Sequence, residues 1–311
     1  MKKRMIARYL IGGIAMLLLV VSVQAQAQTE QVVQLPFVLK GYPMLRSGQV
    51  VFQSYRDGDV EIYRMDYDGS DVIQLTNNTF DDVTPDWSPD GSKIAYLSNE
   101  TGEFEVYVMD ADGTNSLQLT DMGHCDSPQW SPDGKQIAFY SRQDNNNLIF
   151  TFNLEESSLV QITAPEISGY DPYWSPDGSR IAFISSRTTM GVYDIDAEGT
   201  TPPVLLFEMS GIGEMAWSPD GQWFAITKVV EPNFNLDIFL YDLDTSTLTR
   251  LTTTTRAHNS VDWYPGGNYL IYQSNQDDLA NFEIYTMTIS GTMIVNISNH
   301  PAPDSSPDWI P

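Results

Sequence analysis

Carboxylates are the reactive groups this chain has in surplus: 41 acidic side chains stand against 16 basic ones over 311 residues, a formal net charge of -25. The acids and amides whose positions recur are Asp81 and Asp82, Asp126, Asp171, Glu214, Asn259 and Asp304, each a few residues ahead of a regularly spaced tryptophan. A ring of such groups around a channel mouth could bind a cation, a basic peptide segment or a glycan. The same residue types are also ordinary turn formers that accept hydrogen bonds from loop amides. A glycosidase-type pair would have to be recognised by its separation in an open cleft, because so many acids guarantee neighbours by composition alone.

Other constellations carry less. Asp66-Tyr67-Asp68-Gly69 and Asp110-Ala111-Asp112-Gly113 start like calcium loops. An EF-hand, however, needs a third acid before its glycine, a glutamate at its twelfth position and flanking helices. They read as β-turns. Gly211-Ile212-Gly213-Glu214-Met215-Ala216 spells a dinucleotide fingerprint, but it precedes a strand and no helix follows to meet a pyrophosphate. His124 and Cys125 are adjacent, so on an extended segment they point to opposite sides, and no third group orients them as nucleophile and base. His124, His258 and His300 lack the spacing of zinc ligands, and no Gly-x-Ser-x-Gly occurs. The expectation is a protein with no catalytic residue, no metal-ligand set and no cofactor, in which a structural divalent cation is allowed but not indicated.

The elements that must position these residues come from a repeat. Trp87, Trp130, Trp174, Trp217, Trp263 and Trp309 recur every 43–46 residues. Four are followed by Ser-Pro-Asp-Gly, at 88–91, 131–134, 175–178 and 218–221, and the fifth by Tyr264-Pro265-Gly266-Gly267. Proline presets the backbone of such a turn, aspartate bonds neighbouring amides and glycine accepts the left-handed position. Then come a short apolar strand (IAYLS at 94–98, IAFYS at 137–141), a second (EVYVMD at 105–110), a polar turn and a third (LQLT at 117–120). These strands are rich in Val, Ile, Tyr and Phe, which suit a pleated half-buried surface, and no helical period interrupts them. Four antiparallel strands per 40–50 residues is the arithmetic of a propeller blade. The phase shared by the six tryptophans marks them as packing between blades; Trp223, out of phase, is expected at the surface.

The ends of the chain set the blade count. The first repeat, at Val50–Ser54, lacks a tryptophan strand before it, and the last stops on Ser306-Pro307-Asp308-Trp309. Joined, they complete one blade. The fold expected is therefore all-β, a six-bladed β-propeller of four-stranded antiparallel blades, closed by pairing the C-terminal strand with the N-terminal blade. The run Pro-x-Trp-Ser-Pro-Asp-Gly-x-x-Ile-Ala-Phe, then Ile-Tyr-x-Met-Asp-x-Asp-Gly, then Leu-Thr, resembles the WD40-like repeat of the TolB family of periplasmic propellers, over about residues 46–311. The family's partner-binding protein carries an additional N-terminal α/β domain, for which the short tail 28–45 leaves no room.

Lys2, Lys3 and Arg4, an apolar run from Leu10 to Val23, and Ala25 and Ala27 read as an export signal over residues 1–27. The apolar run is short for a membrane span, so no stable span is expected after cleavage. Residues 28–45 form a tail whose segment Gln31–Lys40 could add as an edge strand, serve as a recognition peptide or simply tether the propeller, which fills 46–311. Cys125 is the only cysteine, so packing alone must hold the fold in an oxidising compartment. The acidic surface repels phosphate backbones, which excludes nucleic acid as a partner. The expected function is an exported, periplasmic or extracellular, monomeric binding propeller for a protein or polysaccharide. The alternative is a channel-sited carbohydrate-active hydrolase or lyase.

Overall fold

The computed structural model describes residues 48–310 apart from 187, 188 and 233. The leader at 1–27 and the tail at 28–45 lie outside those residues. Each copy of the repeat forms one four-stranded antiparallel sheet, and there are six. From the innermost strand outward, blade 1 is Asp304–Ile310, Gln49–Ser54, Glu61–Asp66 and Ile73–Gln74. Blades 2 to 6 follow in chain order, with innermost strands Asp82–Trp87, Cys125–Trp130, Tyr170–Trp174, Ile212–Trp217 and His258–Trp263. The ring closes as the repeat requires: Val50 stands opposite Trp309, Gln49 opposite Ile310 and Ser54 opposite Asp304.

Six apolar clusters fill the six seams between blades. Trp87 packs with Ile94, Tyr96 and Met109 of its own blade and with Val51 and Ile62 of blade 1. Trp309 joins Val50 and Phe52 to Tyr269, Ile271 and Ile284 of blade 6, so the closing seam is built like the others. All of the phased tryptophans are buried except Trp217, which is half-buried against Phe224. Trp223 corrects the sequence expectation: it is half-buried and packs on the cluster between blades 5 and 6. The alternation of its strand turns the indole toward that neighbour.

The turns work as their residues dictate. In Ser88–Gly91 the Ser88 hydroxyl bonds Asp90 at 2.8 Å and accepts the Lys93 amide at 2.9 Å, while Asp90 accepts the Ser92 amide at 3.0 Å. Gly91 adopts φ +68°, closing the turn through its amide to the Ser88 carbonyl. The same bonds recur around Asp133, Asp177 and Asp220.

A β-bulge interrupts the innermost strand of every blade. Pairing with the second strand slips between Val83 and Asp86, Asp126 and Gln129, Tyr170 and Tyr173, Ile212 and Met215, and Asn259 and Asp262, and in blade 1 opposite Val51 and Gln53. Within the bulge Thr84, Ser127, Asp171, Ser260 and Ser306 take positive φ values of 47–50°. Left-handed backbone is uncommon for residues with a side chain, most of all for β-branched threonine, and bulges of this kind re-aim side chains.

Candidate functional site

Counting back from each tryptophan, the bulge separates three kinds of position. Residues one before the tryptophan form the deepest group. Residues three and four before it lie toward the end where the chain enters the innermost strand. Residues five before it turn into the seam between blades.

Asp171 and Glu214 occupy the third position before their tryptophans, and Asp126 and Asn259 the fourth. Asp171 and Glu214 feel each other's charge, and both feel Asp126. The structure thus brings three of the expected acids into one group. Asp171 accepts a 2.7 Å bond from the Ser127 hydroxyl of the preceding blade, and Asp126 accepts from Tyr140 at 2.9 Å and from the Ser127 amide at 2.8 Å. Glu214 is bonded by the hydroxyl and amide of Ser260 in the following blade. Burial pushes Asp171 up to about 7, against the Ser127 bond and with the help of the Glu214 and Asp126 charges. Burial likewise raises Glu214. Asn259 is half-buried, and its Oδ1 has no hydrogen-bond partner among the described residues.

Asp82 and Asp304 require a correction. They stand five residues before their tryptophans, are fully buried, and turn into the seams instead of joining Asp126, Asp171 and Glu214. Arg56 grips Asp304 with one nitrogen at 2.7 and 2.9 Å from the two carboxylate oxygens, and Asn78 donates to Asp82 at 2.8 Å. On the far side of the bulge from the tryptophan, an acid at this position fills the seam with the preceding blade.

The same position holds Cys125 and His258. Cys125 Sγ lies 3.4 Å from Glu105 Oε2, and burial pushes its thiol up to about 12. His124 points to solvent and pairs with Glu103 at 3.0 Å. The two neighbours face apart, with His124 at a left-handed φ of 52° just ahead of the strand that begins at Cys125. His258 Nε2 bonds Thr254 Oγ1 at 2.7 Å, and burial lowers its pKa to about 4, which keeps the ring neutral.

The deepest group was not singled out in the sequence. Asp262, Asp308 and Asp86 immediately precede their tryptophans in the consecutive blades 6, 1 and 2. Asp308 accepts the Trp87 amide at 2.6 Å and Asp86 the Trp130 amide at 2.7 Å, so each carboxylate ties its blade to the next. Asp262 and Asp308 lie within hydrogen-bonding reach of each other, a contact that favours keeping one of them protonated. Burial, reinforced by the mutual repulsion of the acids, holds Asp86 and Asp308 well above the usual carboxylate range and Asp262 at about 6. The signal was legible as Asp-Trp at 86–87, 262–263 and 308–309. In blades 3, 4 and 5 the position is neutral, with Gln129, Tyr173 and Ala216. One arc is therefore acidic and hydrogen-bonded into the scaffold. It can hold protons or a positively charged group. Its acids are bound to backbone amides and to each other, an arrangement suited to bracing blades.

The comparisons with known proteins agree with this architecture. The profile of the TolB beta propeller domain matches residues 28–125 and 61–311. The chain belongs to the TolB β-propeller family. A protein TolB homolog of Chlorobaculum tepidum is 42% identical over 59 residues, 19% of this chain and 14% of that protein. An uncharacterized protein of Agrobacterium fabrum is 30% identical over 120 residues, 39% of this chain and 38% of its own. The TolB-family match thus extends through the propeller, whereas these pairwise matches span well under half of each relative. Among solved structures, TolB from Acinetobacter baumannii superposes with a TM-score of 0.73 at 21% identity, over 84% of this chain and 66% of that one. An oligogalacturonate lyase from Vibrio parahaemolyticus superposes with a TM-score of 0.52 at 16% identity, over 79% of this chain and 71% of that one. At these identities the likeness is one of fold.

Proposed function

We propose that this protein is an exported, non-catalytic binding propeller that presents its mouth-side loops to a protein or glycan partner in the cell envelope or outside it. The observation that carries this reading is the group Asp126, Asp171 and Glu214: three acids from consecutive blades, gathered on bulged strands and already hydrogen-bonded in place. Fixed acids at one end of a rigid ring suit recognition of a basic or polyhydroxylated partner, because little ordering is needed on binding. A nucleophile with an orienting base is not part of that group. The TolB membership supports an envelope location, and the basic–apolar–small leader pattern at 1–27 supports export. The strongly acidic surface favours a monomer and disfavours nucleic acid.

The test is capture from a native envelope extract on immobilised wild-type protein and on the double variant Asp171→Asn, Glu214→Gln. Retention of one partner by the wild type and its loss at equal fold content in the variant is the expected result. Recovery of nothing by either protein would sink the reading. Release of new chain ends from a polysaccharide, abolished by the same variant, would replace it with a carbohydrate-active enzyme.

A further inference from the structure

Four seams of the ring pair an acid at the start of a third strand, or just inside it, with the residue five before the next tryptophan. The pairs are Glu61 with Asp82, Glu105 with Cys125, Asp237 with His258, and Glu283 with Asp304. In three seams the acid is well served. Glu105 Oε2 receives Thr120 Oγ1 at 2.6 Å, and its Oε1 receives the Gly123 amide at 2.6 Å. Asp237 receives Thr252 Oγ1 at 3.0 Å and is bridged by Arg250. Glu283 receives Ser298 Oγ at 2.5 Å and the His300 amide at 3.0 Å, while Arg56 neutralises Asp304.

The seam between blades 1 and 2 differs. Glu61 is 0% exposed; its Oε1 receives the Asn78 amide at 2.5 Å, but its Oε2 has no hydrogen-bond partner among the described residues. Asp82, 1% exposed and facing it, likewise has an unpartnered Oδ1. Each of these two facing carboxylates thus keeps one buried oxygen without a donor, and such a pair needs a proton or a cation between or beside it. On the solvent side, the hairpin Tyr55–Val60 brings Asp57 and Asp59 to this spot, with carboxylate oxygens of Asp57, Asp59 and Glu61 all within 4.8 Å of one another. Asp57 and Asp59 flank Gly58, whose positive φ of 122° belongs to the turn that leads into the strand at Glu61. Asp57 is steadied from the outermost strand by Gln74 Nε2, and a Cβ on Gly58 would meet nothing within 4 Å, so the approach is open.

We propose that Asp57, Asp59 and Glu61 bind a hard divalent cation of the calcium type, which seals the seam between blades 1 and 2. All of the ligand atoms are carboxylate oxygens, with no nitrogen or sulfur, which selects calcium, magnesium or manganese over zinc or copper. The irregular, hairpin-borne arrangement suits the variable coordination of calcium better than the strict octahedron of magnesium.

The test is a terbium luminescence titration of chelator-treated protein, with Tyr63 beside Asp57 as the sensitiser, followed by displacement with calcium. A single saturable site displaced by calcium is expected, with affinity weakened about ten-fold or more in Asp59→Asn and Glu61→Gln. Glu155→Gln, an exposed acid in blade 3, is expected to leave it unchanged. Unsaturable, salt-screened binding that survives both variants would mean diffuse counterions on an acidic surface and would overturn the proposal. So would a melting temperature insensitive to calcium but raised by Glu61→Gln, the mark of a shared proton alone. The far-ultraviolet spectrum of each variant establishes that the blades are intact.

Discussion

Asp308 shows how one residue ties local chemistry to ring closure. It lies on the closing strand, accepts the Trp87 amide from blade 2 and faces Asp262 of blade 6, and burial with the repulsion of Asp86 and Asp262 favours its protonated form. Asp308→Ala strands a buried donor and a buried acid, and is expected to cost about 1–3 kcal/mol in urea unfolding at pH 7. Asp308→Asn keeps the shape and the acceptor of a protonated acid, so its cost is expected to be smaller, and smaller still as pH rises. A deficit for asparagine that equals that for alanine would show that the protonated form is not what matters. Asp171 makes the parallel point at the mouth. With its pKa at about 7, it is expected to titrate near neutrality by carboxyl NMR, and Glu214→Gln is expected to lower that midpoint by removing a like charge.

At the scale of the element, the turn between the third and outermost strands sets how tightly neighbouring blades approach. Gly69, in that turn of blade 1, has φ +82° and its missing Cβ faces the backbone carbonyl of Ile297 in blade 6. Gly58 also has a positive φ, +122°, but nothing within 4 Å. Gly69→Ala is expected to lower stability by more than the roughly 1 kcal/mol of backbone strain expected at Gly58→Ala. Equal losses in the two variants, measured by chemical denaturation, would show that the seam yields freely. The buried indole of Trp130, wedged between blades 2 and 3, gives a larger effect: Trp130→Ala is expected to cost about 3–5 kcal/mol.

For the whole molecule, the buried acids make stability depend on pH. Asp171 and Glu61 at about 7 and Asp262 at about 6 bind protons more tightly in the folded chain than in the unfolded one. Their stabilising contribution is complete below the unfolded value near 4 and is lost as pH rises through about 6–7. The turn acids Asp90, Asp133, Asp177 and Asp220 are shifted the other way by amide and hydroxyl bonds, and their contribution fades only as pH falls below about 4. The melting temperature is therefore expected to be higher at pH 5 than at pH 8. A net charge of -25 acts in the same direction by self-repulsion at high pH. A melting curve that rises steadily from pH 5 to 8 would contradict the assignment of buried protons. Closure is likewise a whole-molecule property: deleting 304–311 removes the innermost strand of blade 1 and is expected to abolish the cooperative melt, because two half-seams then face water.

Fold and closure were legible in the chain itself. Tryptophan spacing, Ser-Pro-Asp-Gly turns and alternating strands are local properties repeated six times, and a repeat that cannot bury its own faces has to stack on its neighbours. The Trp309 to Val50 pairing followed from counting strands at the two ends. The site was only partly legible. Asp126, Asp171 and Glu214 were placed near one another by lying three or four residues ahead of their tryptophans, yet Asp82 and Asp304, one or two residues earlier, went into the seams. The bulge decides this, and its position depends on register with the second strand and on left-handed residues such as Thr84 and Asp171 that no local propensity announces. The contact between Asp262 and Asp308, and the unserved oxygens of Glu61 and Asp82, belong to the same class. Each depends on which side chains meet across a seam, and residues far apart in sequence meet there only once the ring has closed.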